Sequence, residues 1–236
     1  MAPRLSRSRR LAIAARWPVG IALTSWRYMW RTVPMHRREL AGDPRTDAPP
    51  ALPADFARED LQGPDDGVGP LFHRRYAVRI AGAKLSPADL VAGMRKELDA
   101  FAPSEFASFQ RITGEGPLKG GDEYLVRMPG PWDGPVRVVE AGETSFRLAT
   151  LSGHLEAGQI VFEATGDGEL QFSIESWARS ADRLSNLLYT RARMAKEIQL
   201  HMWVSFLSRV LDRSGGRRSG PIEIVTRRVD APIGHG

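Results

Sequence analysis

T-S-F-R-L-A-T-L-S-G-H-L-E-A-G-Q-I-V-F (Thr144–Phe162) and, past the turn Gly166-Asp167-Gly168, L-Q-F-S-I-E-S-W-A-R (Leu170–Arg179) decide the fold. Phe146, Leu148 and Thr150 alternate along one face, as do Ile160, Phe162 and Ala164, and then Leu170, Phe172, Ile174 and Ser176. Period two predicts three strands. The links between them are a Gly-flanked turn, Gly153–Gly158, and the tight Gly166-Asp167-Gly168 hairpin. Links this short permit antiparallel neighbours and forbid parallel crossovers.

A long helix follows directly, with Ser180 or Asp182 able to cap it. Leu184, Leu188, Ala195, Ile198, Met202 and Phe206 hold one stripe, widened by Leu187, Trp203, Leu207 and Val210, until Gly215-Gly216 ends it. A helix this apolar on one side needs a large partner, and the preceding sheet is the one available. Upstream, Tyr76, Val78 and Ile80 mark a strand. Ser86-Pro87-Ala88-Asp89 then opens a helix carrying Leu90, Met94 and Leu98. Ser104–Gln110 reads as a second short helix, Asp122–Met128 as a strand with Tyr124 and Val126 on one face, and Val136–Glu140 as another strand. Ile222, Ile224 and Thr226 allow a short last strand, but Arg217-Arg218 and Arg227-Arg228 favour an exposed tail over 215–236.

The chain has 236 residues, 42% apolar and 26% charged, the balance of a soluble globular protein. It has no cysteine, which excludes disulfides, thiol nucleophiles and Cys-ligated metals. The net charge is +5, yet no acid precedes Glu39 while nine Arg do; without them the chain carries −4 (+5 minus 9). The basic character therefore belongs to an arm over 1–40, and the body offers no nucleic-acid surface. In the arm Val19, Leu23, Trp26, Trp30 and Val33 recur at helical spacing, with Arg27 and Arg31 beside them. That is the pattern of an interfacial helix, with Trp17, Trp26, Trp30, Arg27 and Arg31 as membrane contacts, or of a helix packed on the body or on a partner. Arg16, Pro18 and Arg27 break every run long enough to span a membrane or to form a secretory apolar core. The expected location is the cytoplasm, with the arm the candidate for peripheral membrane contact. Residues 41–70 are rich in Pro, Gly and Asp and read as an extended linker.

The succession of strand, helices, hairpin-joined antiparallel strands and one long helix resembles the helix-grip architecture of the START and pollen-allergen superfamily. The expected fold is thus α+β: a curved antiparallel sheet gripping a long C-terminal helix over 71–214, with a helical arm in front. T-L-S-G-H-L-E-A-G (Thr150–Gly158), with Ile174–Ala181 and the long helix, resembles uncharacterised protein family 0548, whose turn reads about T-L-P-G-H-P-E-x-G-E. This chain departs from it at Ser152, Leu155 and Gln159. No activity comes with the resemblance, but the superfamily implies a cavity for an apolar ligand. Its lining would be Tyr124, Val126, Val138, Phe146, Leu148, Phe162, Phe172 and Ile174, with Ile198 and Met202 from the helix. Trp132, in the Pro-rich loop Met128–Pro135, either gates the mouth of that cavity or caps the core.

His154 and Glu156 are the sharpest polar pair. They form either a general base with its orienting carboxylate, or a turn that bonds its own amides. The five histidines are scattered without ligand spacing, so neither metal nor cofactor is expected. G-x-S-x-G is absent, as is a phosphate loop. The functional readings are a module binding an apolar small molecule or lipid, an interaction module working through the arm, and a cyclase or hydrolase using His154 and Glu156.

Overall fold

The period-two segments form one sheet of ten strands. The computed structural model describes residues 34–54, 56, 59–103, 107–127, 133–181 and 194–230. The elements are β1 (Met35–Ala41), β2 (Val68–Ala81), α1 (Pro87–Lys96), β3 (Ser108–Arg111), β4 (Glu123–Arg127), β5 (Asp133–Ala141), β6 (Ser145–Thr150), β7 (Glu156–Thr165), β8 (Leu170–Ser180), α2 (Met194–Ser214), β9 (Arg217–Arg218) and β10 (Ile222–Val229). The sheet runs β1-β10-β2-β8-β7-β6-β5-β4-β3, with β9 beside β2. Ser86 caps α1 as its sequence predicts, accepting from the Asp89 amide.

The sheet is antiparallel from β10 through to β3. One pair departs from the expected antiparallel pattern, because β1 lies parallel to β10. These two strands are separated by most of the chain, so no tight turn dictates their relative sense. Met35–Ala41 is thus a strand at the sheet's outer edge; the Trp and Arg residues expected in a helix ahead of it lie outside the described residues. Of the expected helix Ser104–Gln110, residues 108–110 belong instead to β3, the opposite edge strand, where the ladder with Tyr124–Arg127 outweighs local propensity. The expected exposed tail holds β10, an interior strand whose Ile222 and Ile224 belong to the core.

Cross-strand register places the inner, concave residues in rows. One row runs Ile224, Tyr76, Ile174, Phe162, Phe146. The next runs Thr226, Arg74, Ser176, Ile160, Leu148, Val138. Over this face lie α1 with Leu90, Val91 and Met94, and α2 with Leu200, Trp203, Phe206, Leu207 and Val210, all in one apolar cluster. Curvature comes from a register shift in β5 between Val138 and Glu140 and from Gly158, where a Cβ would overlap the Trp177 carbonyl of β8.

The stretch 41–70 is expected to be a linker; the described residues among 42–67 cross the convex side of the sheet as a strap. The Gly42 amide donates to Arg228 in β10, and Asp47 meets His73 in β2. The carbonyls of Pro50 and Ala51 accept from Arg147 in β6, and that of Glu59 accepts from Arg137 in β5. Gln62 then pairs with Thr150, and the chain returns to β2 through the short turn Pro64–Asp66. Proline suits such a path. It removes amide donors that have no ladder to join and leaves carbonyls for side chains to bond.

Candidate functional site

The inner face gathers most of the residues expected to line a ligand space. Tyr124, Val126, Val138, Phe146, Leu148, Phe162, Phe172, Ile174 and Met202 are all buried in the single cluster between sheet and helices. Trp132 and the side chain of Ile198 fall outside the described residues. At the β4 end, Arg111 donates to the Tyr124 hydroxyl at 2.6 Å and lies over its ring. Burial raises the Tyr124 pKa and outweighs the Arg111 cation beside it.

Aromatic rings fill the part of this space beneath the second half of α2. Phe146 stacks on Phe162 at 4.7 Å, and Phe206 meets Phe162, Phe172, Trp203 and Phe101 at 5.5 to 6.3 Å. Trp203 meets Phe162 edge-on at 5.7 Å. Among the long strands α2 contacts β2 and β8.

One row further along, the apolar pattern breaks. Arg74, 4% exposed, and Ser176, 5% exposed, stand directly across from each other on the concave face. The Arg74 guanidinium lies 4.6 Å over Phe72 and 3.8 Å from the Glu156 carboxylate. Gln199 of α2 donates to that same carboxylate at 3.2 Å. Arg74, Gln199 and Trp203 are missing from the site expected from sequence. The signal for Arg74 was available: extending the Tyr76-Val78-Ile80 alternation back by one step puts it on the apolar face.

His154 and Glu156 part company in the turn. The ring Nδ1 of His154 lies 2.9 Å from the Glu156 amide and 3.0 Å from the Glu156 carbonyl, so the turn's own backbone engages it, while Nε2 lies against Gly134. The Glu156 carboxylate turns instead to Gln199 and Arg74. Gln62 of the strap ties the turn by donating to the carbonyls of His154 and Glu156. Burial lowers the His154 pKa, despite the nearby Glu156 charge and backbone. The ring's polar contacts here are those of a turn bonding its own amides.

A second histidine, fully buried where His154 is half-buried, lies on the convex face. His73 bonds Asp47 of the strap through Nδ1 at 2.6 Å and Glu175 of β8 through Nε2 at 2.5 Å, with Trp177 stacked on its ring. Two carboxylate acceptors require two N–H donors, so the ring is an imidazolium. Burial alone would lower its pKa, but the bonds to Glu175 and Asp47 outweigh burial and raise it. Among the described residues no group of three or more His, Asp or Glu is placed to hold a metal ion. No helix among them is long and apolar enough to cross a membrane.

A curved sheet closing on a C-terminal helix, with an apolar inner face, defines a helix-grip domain. The chain belongs to the family described as Domain of unknown function (DUF1990), which matches residues 71–209, in accord with the resemblance carried by the Gly153–Gly158 turn. No curated protein matches it. Solved structures similar in fold include a solution structure from Thermobifida fusca, 14% identical with a TM-score of 0.45, covering 61% of this chain and 93% of that one. Major latex-like protein 151 from Panax ginseng is 12% identical with a TM-score of 0.42, covering 61% and 98%. Norcoclaurine synthase from Thalictrum flavum, solved with dopamine and hydroxybenzaldehyde, is 13% identical with a TM-score of 0.37, covering 64% and 94%.

Proposed function

We propose that this protein is a binding module that holds an apolar small molecule or lipid between the concave sheet and α2. The observation that carries the reading is the polar row within the apolar face. Arg74 and Ser176 sit at the centre of the sheet, one row from the aromatic cluster. A core serving stability alone has no use for a buried guanidinium there, since taking the charge out of water costs several kcal/mol, roughly, before any partner offsets it. A ligand space that orients its guest has such a use: apolar walls hold the body and a few polar groups fix its direction. The turn histidine lends itself less to catalysis, because Nδ1 is engaged by backbone and the carboxylate that would orient the ring lies elsewhere.

Titration with the neutral fluorophore N-phenyl-1-naphthylamine tests this reading, alongside native mass spectrometry of the purified protein. Saturable one-to-one binding, or a co-purified apolar molecule, is expected. The absence of both defeats the proposal.

A further inference from the structure

We infer that His154 is a ligand-contacting residue at the rim of the concave face, and that the guest carries a neutral hydroxyl which hydrogen-bonds to its Nε2. This inference rests on the ligand space proposed above and names the polar group of its occupant.

The ring reaches the inner face through a gap left for it. Val136 and Val138 of β5 point inward into the apolar cluster, and Gly134 shares their side of the strand. The row Phe109, Val126, Gly134 crosses β3, β4 and β5, and its first two side chains belong to the core. At Gly134 the row has no side chain of its own. The edge of the His154 ring stands there instead: a Cβ on Gly134 would lie 2.6 Å from Nε2 and 2.7 Å from Cδ2. A glycine within a strand weakens it and marks a close approach, and here the approaching group is an imidazole. Gln199 of α2 reaches the Glu156 carboxylate two residues on, so the helix passes over this same end of the face.

The far side of the ring is fixed and the near side is free. The Glu156 backbone engages Nδ1, and Gln62 braces the turn through the carbonyls of His154 and Glu156. Nε2 has no hydrogen-bond partner among the described residues. The ring is half-buried, so this nitrogen is not sealed off.

The state of the ring selects the partner. With Nδ1 between an amide and a carbonyl, the proton of a neutral imidazole fits either nitrogen, and Nε2 is then a donor or an acceptor. A hydroxyl satisfies both cases, because it donates and accepts; a carbonyl satisfies only one. Charge points the same way. Burial lowers the His154 pKa, so the ring is neutral at about pH 7 and has no charge with which to hold an ion. A neutral group on an apolar guest bonds to it without a buried charge to offset.

The test is fluorescence titration of the full chain with 2-naphthol and with 2-methylnaphthalene, which has nearly the same shape and no hydroxyl. His154→Asn keeps an amide oxygen near the place of Nδ1 for the turn and removes Nε2. It should weaken 2-naphthol about fivefold, the worth of one neutral hydrogen bond, and leave 2-methylnaphthalene unchanged. His154→Phe, which keeps a ring in the gap at Gly134, should do the same. In wild type, 2-naphthol should move the nitrogen resonance of His154 Nε2 and 2-methylnaphthalene should leave it in place; a ring that merely fills the gap gives no such difference, and this measurement needs no variant to fold. Equal weakening of both probes by the variants overturns the inference, as does unchanged binding of 2-naphthol or an unmoved Nε2 resonance at saturation. Binding of the neutral naphthylamine with no binding of 2-naphthol overturns it alone; binding of no probe at all overturns the function with it.

Discussion

Replacing His73 by Leu should cost about 3–4 kcal/mol and loosen the strap. His73 makes two charge-assisted hydrogen bonds, each worth about 1.5–3 kcal/mol when both partners stay in place. They do not count equally. Glu175 has 27% of its side chain exposed and recovers water when the ring is gone, whereas Asp47 has 6% and would keep the Asp43 amide and Arg227, 3.7 Å away. The loss is therefore dominated by a carboxylate left buried beneath the strap, near the lower end of what breaking a buried ion pair costs, about 3–5 kcal/mol. Urea unfolding should show a midpoint lower by roughly 1–2 M at the slope usual for small proteins. The effect depends on pH in a defined way. The raised pKa of His73 contributes stability that is complete below about pH 6.5 and is lost as pH rises through the folded value. For Asp47, burial alone would raise the pKa, but the His73 hydrogen bond helps to hold it low. That contribution is present above about pH 4 and is lost as pH falls through the folded value. The gap between wild type and variant should be widest between these limits. Trypsin should also cut the variant faster at Arg45, which lies exposed in the strap. A penalty below about 1 kcal/mol, or a gap that ignores pH, would refute the assignment of His73 as the strap's anchor.

His73 and His154 should titrate in opposite directions from the ordinary value in side-chain NMR, His73 above it and His154 below. Titration of both on the same side would contradict the geometry of one of them. Phe206→Ala opens a hole where four other rings meet and should destabilise by about 3–5 kcal/mol in urea; a smaller loss would mean that α2 can settle into the gap. Gly158→Ala should cost about 1–3 kcal/mol, because the added carbon meets the Trp177 carbonyl, backbone that cannot rotate away. Full-length protein should sediment with phosphatidylserine vesicles and a chain lacking residues 1–33 should not, since the Trp and most of the Arg of the basic arm lie there. Equal sedimentation would assign those residues to something other than an anionic surface.

Much of this fold is written in local periodicity. The run Phe146-Leu148, Ile160-Phe162 and Phe172-Ile174, joined by links too short for crossovers, dictates a meander, and Trp203, Phe206 and Val210 dictate what lies on it. Three features resisted because their cause is distant in sequence. Ser108–Arg111 looks helical alone and becomes a strand because β4 offers a ladder. Arg227 and Arg228 look like part of a solvated tail, yet both lie in β10; Arg228 stays exposed, while Arg227 is half-buried beside Asp47. The strap carries no periodicity at all, and its course is set by side chains of other segments: Arg147, Arg137 and His73. The candidate site divides the same way. Its apolar lining was legible, since each residue falls on an alternating face. Its polar row was half legible: Ser176 ends a readable alternation, but Arg74 acquires meaning only from the neighbours that the register gives it.

The place of β10 ties the beginning of the polypeptide to its end. Among the described residues β1 pairs with no strand but β10, which lies between it and β2. As the ribosome releases the chain, residues 35–41 have no ladder to join until residues 222–229 emerge. The edge at Met35 therefore has no ladder to join before β10 is in place. Removing the residues of β10 would thus undo its own ladder with β2 and the whole ladder of β1 at once.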